Sequence, residues 1–301
     1  MAIISLLTDA PNYNLALMKL STWHKLQGDE VYLNTPLIKA DKTYASILFS
    51  WNKKNFIADE YGGIQFPEVM LPKHIEMQKP DYDLYKLDHS LGYTFRPCYR
   101  RCDFCLVKTL KQPDQRHHSI WEFHDKKFDK ICLMNNNTFL DPKWKDTFEE
   151  IWAAKLKVLE HGFDVRLIDE EKANAIKKTS FVGHRHFAWD RMKDEKKITS
   201  GLKFLYAAGI KECRFYVLAG YDTTWEEDIY RCQIIVGYSN TPYIMPFNKT
   251  RTVKLTKNFI NSPANWWHKR DNLKAAFKDW LKGNKSKKPA SAEEDKQMNL
   301  L

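Results

Sequence analysis

The feature that most constrains this fold is a regular alternation, between Leu91 and Pro246, of short apolar runs with segments of helical periodicity. Parallel strands need crossover connections of this length, usually helical, so the pattern predicts β/α units. The predicted strands are Leu91–Phe95, Lys130–Met134, Asp164–Ile168, Phe187–Trp189, Cys213–Leu218 and Thr241–Pro246. The predicted helices are Lys143–Leu159, Glu170–Lys178, Lys197–Ala208 and Trp225–Ile235.

A smaller α/β layer precedes these units. Apolar runs at Ala2–Leu7, Glu30–Leu33 and Thr43–Trp51 predict three strands, and a helical pattern extends from Leu15 to Gly28. Residues 52–87 are interrupted by glycine and proline, so we expect an irregular connection there.

Composition limits the function less sharply. Forty-eight Lys and Arg against 38 Asp and Glu give a net charge of +10, which would attract a polyanion such as a nucleotide or nucleic acid. No apolar run is long enough to cross a bilayer, and the six cysteines do not resemble a secreted disulfide framework. We therefore expect a cytoplasmic protein without membrane contact.

Three of the cysteines, Cys98, Cys102 and Cys105, lie in a C-x3-C-x2-C spacing. Thiolates in such a group select zinc, copper(I) or an iron–sulfur centre. A four-iron cluster has one iron per cysteine ligand, so three cysteines leave one iron open to a small chelating molecule. A zinc knuckle with His117 or His118, or three unliganded core cysteines, are the alternatives.

The spacing, with aromatic Phe104 directly before the last cysteine, resembles the cluster loop of the radical S-adenosylmethionine (SAM) superfamily. The resemblance implies a [4Fe–4S] cluster on the three cysteines, SAM on the open iron, and Phe104 near the adenine. It also implies that an electron from the cluster splits SAM into methionine and a 5′-deoxyadenosyl radical. A reductant protein of the flavodoxin or ferredoxin type is the expected partner.

The six predicted strands match the partial (β/α)6 TIM-like barrel of that superfamily. In parallel β/α folds, ligands collect beyond the carboxyl ends of the strands, and the cysteine loop follows the first strand. Asn135, Asn136 and Asn137 follow the second, where the superfamily has a Gly-Gly-Glu-like motif for the amino group of SAM. They match that motif in position only, and they also fit an ordinary turn.

Four further residues are candidates for contacts to SAM. Arg166, on the predicted third strand, and Arg185, near the start of the fourth unit, could meet its carboxylate or ribose, or form salt bridges. Gly220 follows the fifth strand and resembles a Gly-rich turn near the adenine, although Thr223-x-x-Glu226 also fits a helix capping box. Met245, on the last strand, would offer backbone groups to the adenine by resemblance.

The N-terminal layer resembles the cobalamin-binding domain of one branch of the superfamily. The Asp-x-His-x-x-Gly string of such domains is absent, and His24 lies late in the predicted helix, where a solvated or half-buried histidine is expected. We predict a shortened Rossmann-like relic without cobalamin. The predicted divisions are 1–55 for this domain, 56–87 for the connection, 88–250 for the barrel, 251–282 for a helical extension and 283–301 for a disordered tail.

The sequence therefore predicts a radical SAM enzyme that abstracts hydrogen from a substrate. The residues do not identify that substrate, and the basic charge favours an anionic one. They name no catalytic side chain either. The alternatives are a zinc-stabilised, basic nucleic-acid-binding protein and a cobalamin-dependent radical SAM methyltransferase.

Overall fold

The chain forms two compact units, an N-terminal unit, Met1–His161, and a C-terminal unit, Gly162–Leu301. All strand pairings in the named sheets of the described ranges are parallel, which confirms the predicted α/β class. None of the helices in these ranges is long and apolar enough to span a membrane. The computed structural model describes residues 1–35, 37–111, 116–160, 162–263 and 271–283.

The first sheet of the N-terminal unit has the strand order β2-β1-β3-β4, which is that of a doubly wound layer. Helix α1, Leu15–Leu26, connects the first two strands, and the side chain of Asn14 caps it by accepting from the Leu17 amide at 3.2 Å. Leu17 packs with Ile4 in the core beneath the sheet. The strands are β1, Ile3–Thr8; β2, Glu30–Leu33; β3, Lys42–Ser46; and β4, Glu60–Gly62.

Strand β4 and the short helix α2, Lys73–Glu76, lie within the stretch predicted to be irregular. The third strand is also shorter than predicted, because it ends at Ser46 and a turn of 3-10 helix follows at Ser50–Asn52. Three residues are too few to show an apolar alternation, so β4 is determined by its backbone pairing with β3.

The second sheet of this unit has the order β5-β6-β7, and the cysteine loop follows its first strand. The prediction of a helix over Lys143–Leu159 was wrong in its second half: α3 covers Trp144–Ala153, and Lys155 turns the chain with φ 55° into the third strand. A left-handed lysine gives no sequence signal of the kind glycine gives. The strands are β5, Ser90–Gly92; β6, Lys130–Leu133; and β7, Lys157–Glu160.

The C-terminal unit contains a sheet of order β10-β9-β8 with helices between its strands. The fourth, fifth and sixth predicted strands are confirmed as β8, His186–Trp189, β9, Arg214–Ala219, and β10, Thr241–Pro246. The helices of the unit are α4, Glu170–Lys178; α5, Glu195–Ala207; α6, Trp225–Gly237; α7, Arg251–Ile260; and α8, Leu273–Gly283.

The predicted third strand, Asp164–Ile168, is wrong. The segment forms one turn of 3-10 helix at Val165–Leu167, because the Asp164 carboxylate accepts from the Arg166 amide at 3.1 Å and closes the turn. Helices α7 and α8 both lie in the stretch predicted as a helical extension, although no separate bounds were predicted for α7. The predicted tail, from residue 284 onward, lies outside the described residues.

Candidate functional site

The cysteine loop begins at the carboxyl end of β5, the end at which parallel folds place their ligands. Cys102 and Cys105 close one turn, in which the Cys105 amide donates to the Cys102 carbonyl at 3.0 Å. Arg101, with φ 47°, directs the chain into this turn, and Phe104 lies half-buried within it. Cys98 stands before the turn at Tyr99–Arg100, so all three thiols belong to one compact loop.

The three cysteines form no disulfide bond and are partly exposed, and their chemistry fits a three-thiolate iron–sulfur site. Their present arrangement is looser than such a site. Among the residues that the structure describes, no three His, Cys, Asp or Glu side chains are grouped so that they could hold a metal ion. Cluster binding would therefore require the three thiols to come closer together.

Asn135 braces the start of the cysteine loop from the neighbouring strand end. Its buried side-chain oxygen accepts from the amides of Thr94 and Phe95 at 2.9 and 3.0 Å. Its side-chain nitrogen donates to the hydroxyls of Thr94 at 2.8 Å and Thr138 at 3.2 Å. An amide side chain has two donors and two acceptor sites, so these four hydrogen bonds use the full capacity of Asn135.

The other two asparagines differ from Asn135 in their surroundings. Asn136 is exposed and donates to the carbonyl of Arg96, two residues before the first cysteine, at 2.5 Å. Asn137 is buried and precedes a 3-10 turn at Thr138–Leu140. The structure therefore brings the triplet and the cysteine loop together, and two of the asparagines hold the backbone of that loop.

A histidine–carboxylate pair lies at the same strand ends. His117 Nδ1 is 2.6 Å from Asp141 Oδ2, a carboxylate with almost no solvent exposure, and the following His118 amide donates to the Thr94 carbonyl at 2.8 Å. Sequence reasoning named both histidines and missed Asp141. Asp141 is followed by Pro142 just before α3, and this pattern indicates only the start of a helix.

A cavity of about 650 Å³ opens beside the first residues of the cysteine loop within the N-terminal unit. Helices α1 and α2, the end of β5 and the segment from Arg116 to Phe123 contribute to its wall. Arg96 reaches it from the loop itself, with its guanidinium 4.8 Å from the centre of the Tyr93 ring. Sequence reasoning missed this cavity, because its wall comes from segments far apart in the chain.

Arg166 is held in an ion-pair network of the C-terminal unit. Its guanidinium donates to both carboxylate oxygens of Asp164 at 2.7 and 3.0 Å and to Asp194 at 2.9 Å. Burial opposes its charge, but the hydrogen bonds and charges of the two aspartates outweigh burial and raise the pKa of Arg166. The arrangement corresponds to the predicted alternative of a salt bridge.

The three remaining candidates lie at opposite edges of the sheet β10-β9-β8. Arg185 directly precedes β8, and its carbonyl accepts from the Arg214 amide at 2.9 Å, which places it at the amino edge. Gly220 follows β9, and Met245, 44% exposed, lies near the end of β10, so both are at the carboxyl edge. The structure brings Gly220 and Met245 together and leaves Arg185 apart from them.

The turn at Gly220 requires glycine. The residue has φ 77°, and a Cβ atom there would lie 2.5 Å from Val253 Cγ2 and within 3 Å of the Asn248 side chain. The capping box expected at Thr223-x-x-Glu226 lies one residue later, between Thr224 and Glu227, at the start of α6.

The carboxyl edge of the first sheet is filled by the chain's own side chains. The Asp9 carboxylate, just after β1, accepts from the amides of Leu48 and Phe49 at 2.7 and 3.0 Å and from Asn52 at 3.1 Å. His24 is half-buried, as expected, with Nδ1 2.9 Å from Asp29. Doubly wound folds bind ligands between β1 and β3, and here Asp9 holds the amides at that point.

Compared with known proteins, the chain matches no protein-family model, no curated protein and no solved structure.

Proposed function

We propose that this protein is a radical SAM enzyme, which uses a [4Fe–4S] cluster to cleave SAM reductively and abstracts hydrogen from a substrate. The observation that supports it is the position of the three thiols of Cys98, Cys102 and Cys105. They lie on one loop at the carboxyl end of a parallel strand, and a saturated amide from the next strand fixes the start of that loop.

In this proposal, Cys98, Cys102 and Cys105 hold three irons of the cluster. When bound, the cluster supplies the electron that splits SAM into methionine and a 5′-deoxyadenosyl radical. The chain's own residues position the ligands. Asn135 and Asn136 fix the loop backbone on both sides of Arg96. Phe104, in the turn between Cys102 and Cys105, would pack against the adenine.

The fold proposed for this activity is a partial (β/α)6 barrel that uses β5 to β10 in chain order, with β7 in the place of the mispredicted third strand. The first sheet would be a shortened Rossmann-like relic without cobalamin, since Asp9 already holds its ligand-binding amides. A flavodoxin- or ferredoxin-type reductant would supply the electron, and the cytoplasm is the proposed location.

A second candidate, a zinc-stabilised protein that binds nucleic acid, is favoured by the pair of His117 and Asp141. A histidine whose Nδ1 donates to a carboxylate presents Nε2 as an acceptor, and zinc-binding histidines are commonly oriented in this way. Cys98, Cys102 and Cys105 with His117 would make a Cys3His site.

One experiment separates the two candidates. The purified protein is reconstituted anaerobically with iron and sulfide, reduced, and supplied with SAM, and 5′-deoxyadenosine and methionine are measured. The proposed function predicts both products from the wild type, none from Cys102→Ala, and both from Cys213→Ala, a buried cysteine outside the loop.

The contrary result is a protein that takes up zinc, takes up no iron and cleaves no SAM. In that case the enzyme proposal fails. Loss of zinc in His117→Ala, with zinc retained in His118→Ala, would then support the Cys3His site.

A further inference from the structure

The cavity beside the cysteine loop combines an apolar wall with an excess of positive charge. Among the lining residues that the structure describes, four are permanently cationic and two are carboxylates, so two of these positive charges have no described carboxylate to balance them. The cations are Lys19, Lys73, Arg96 and Arg116, and the carboxylates are Glu76 and Glu122.

One carboxylate oxygen serves two of these cations. Glu76 Oε1 is 2.9 Å from Lys19 Nζ and 3.4 Å from Arg96 Nη1. The second distance is longer than a good N–H···O hydrogen bond, so Lys19 takes most of the carboxylate. Arg96 is therefore held only weakly by this carboxylate and can bind an incoming anion.

Arg96 is also held in a fixed orientation. Its guanidinium stacks over Tyr93, and Asn136 donates to its carbonyl, so both ends of the residue are positioned. About a third of its side chain is exposed. A planar guanidinium held in this way can donate two parallel hydrogen bonds to one anionic group.

The second lining carboxylate, Glu122, is also shared by two basic side chains. Glu122 Oε2 is 2.9 Å from His118 Nδ1 and 3.3 Å from an Arg116 nitrogen. Burial opposes the ionisation of Glu122, but the hydrogen bond from His118 and the charges of His118 and Arg116 outweigh it and lower the pKa of Glu122.

Apolar side chains form the rest of the wall, and they include two aromatic residues. A cavity of about 650 Å³ lies within the range of small-molecule sites, which are mostly apolar with a few polar groups that fix orientation. The apolar part includes Leu15, Leu71, Met77, Tyr93 and Phe123.

We propose that this cavity binds an aromatic small molecule carrying a doubly charged anionic group, the chemistry of a phosphate monoester. The anionic group binds Arg96 and the cations beside it, and the ring packs on the apolar wall. Two positive charges in excess of the described lining carboxylates match a dianion better than a monoanion. Binding at this cavity requires no iron–sulfur cluster, so its test is independent of the proposed enzyme activity.

The probe for this proposal is 1-naphthyl phosphate, titrated calorimetrically into the full chain as purified. The comparison ligands are 1-naphthol, which lacks the anion, and inorganic phosphate, which lacks the ring. We expect the probe to bind at least about tenfold more tightly than either. If 1-naphthol binds as tightly as the probe, the anionic group contributes nothing. If phosphate binds as tightly as the probe, the ring contributes nothing. Either result overturns the proposal.

Two substitutions of opposite sign test the geometry. Arg96→Gln should weaken binding of 1-naphthyl phosphate by about tenfold or more, since it removes the oriented cation. Glu76→Gln should tighten it by about threefold or more, since it removes a competing carboxylate. Arg101→Gln, an arginine of the same loop that does not line the cavity, is the matched control and should leave the affinity unchanged.

The sign of the Glu76→Gln effect separates binding from a structural role. If Glu76 only stabilises the fold, its loss weakens binding, and that result overturns the proposal. Far-ultraviolet circular dichroism establishes that each variant is folded. Should Arg96→Gln fail to fold, the tightening by Glu76→Gln and the three ligands compared on the wild type still decide the question.

Discussion

Asp190, directly after β8, provides a sharp test of electrostatics in the C-terminal unit. Its side chain lies near Arg166 and Arg231, and both arginines are hydrogen-bonded to other groups. Arg166 binds Asp164 and Asp194, while Arg231 donates to the Trp189 and Leu218 carbonyls at 2.7 and 2.8 Å and to Asp228. Burial without a cation of its own raises the pKa of Asp190 to about 6, although both arginines lower it in part.

The direction of the pH dependence follows from this shift. Because the folded pKa exceeds the unfolded value of 3.8, the native state holds a proton that the unfolded state releases between about pH 4 and 6. Stability therefore falls as pH rises through this window, and the loss is complete above it. A shift of about two units, at 1.36 kcal/mol each, corresponds to about 2–3 kcal/mol.

Asp190→Asn removes the buried charge and keeps the shape of the side chain. We expect this variant to match the wild type in free energy of unfolding near pH 4 and to exceed it by about 2–3 kcal/mol near pH 8. Urea unfolding of the full chain, followed by circular dichroism at several pH values, gives the difference between the two proteins. Plotting the difference cancels groups that titrate equally in both.

The matched control is Asp222→Asn, an exposed aspartate just beyond the end of β9, which should leave the free energy of unfolding unchanged at every pH. A variant less stable than the wild type at pH 8 would refute the reasoning, since it would mean that the Asp190 carboxylate is stabilised by its arginines. A gain that is constant with pH would refute it as well.

Two further predictions concern packing. Asn135→Ala leaves two buried backbone amides without their acceptor and should destabilise the protein by about 3 kcal/mol, whereas exposed Asn136→Ala should change its melting temperature little; equal effects would contradict the bracing role. Gly201→Ala places a Cβ atom 2.0 Å from the Val165 carbonyl and should cost about 2–3 kcal/mol or more, while Gly237→Ala, in open space, should stabilise α6 by up to about 1 kcal/mol in thermal melts. A neutral Gly201→Ala would contradict this close approach.

The local sequence pattern was sufficient to predict the bounds of elements that have a clear periodicity or a clear start or stop signal. Helix α4 and strand β10 have the predicted bounds, since the first is capped by Asp169 and the second is β-branched and aromatic between polar turns. The errors lie where local preference competes with distant contacts. Strand β7 follows a left-handed lysine, and the strand predicted at Asp164–Ile168 became a turn through an aspartate that binds its own backbone.

The sequence by itself determined two things about this protein. Its sheets are parallel, because strand-like runs alternate with helical stretches, and its three thiols share one loop, because they fall within eight residues. The tertiary structure decided which other groups join them. Asn135 braces the loop, Arg185 lies at the amino edge of its sheet, and the cavity collects charges from α1, α2 and the cysteine loop. Such placements depend on pairings between segments far apart in the chain, which local spacing does not encode.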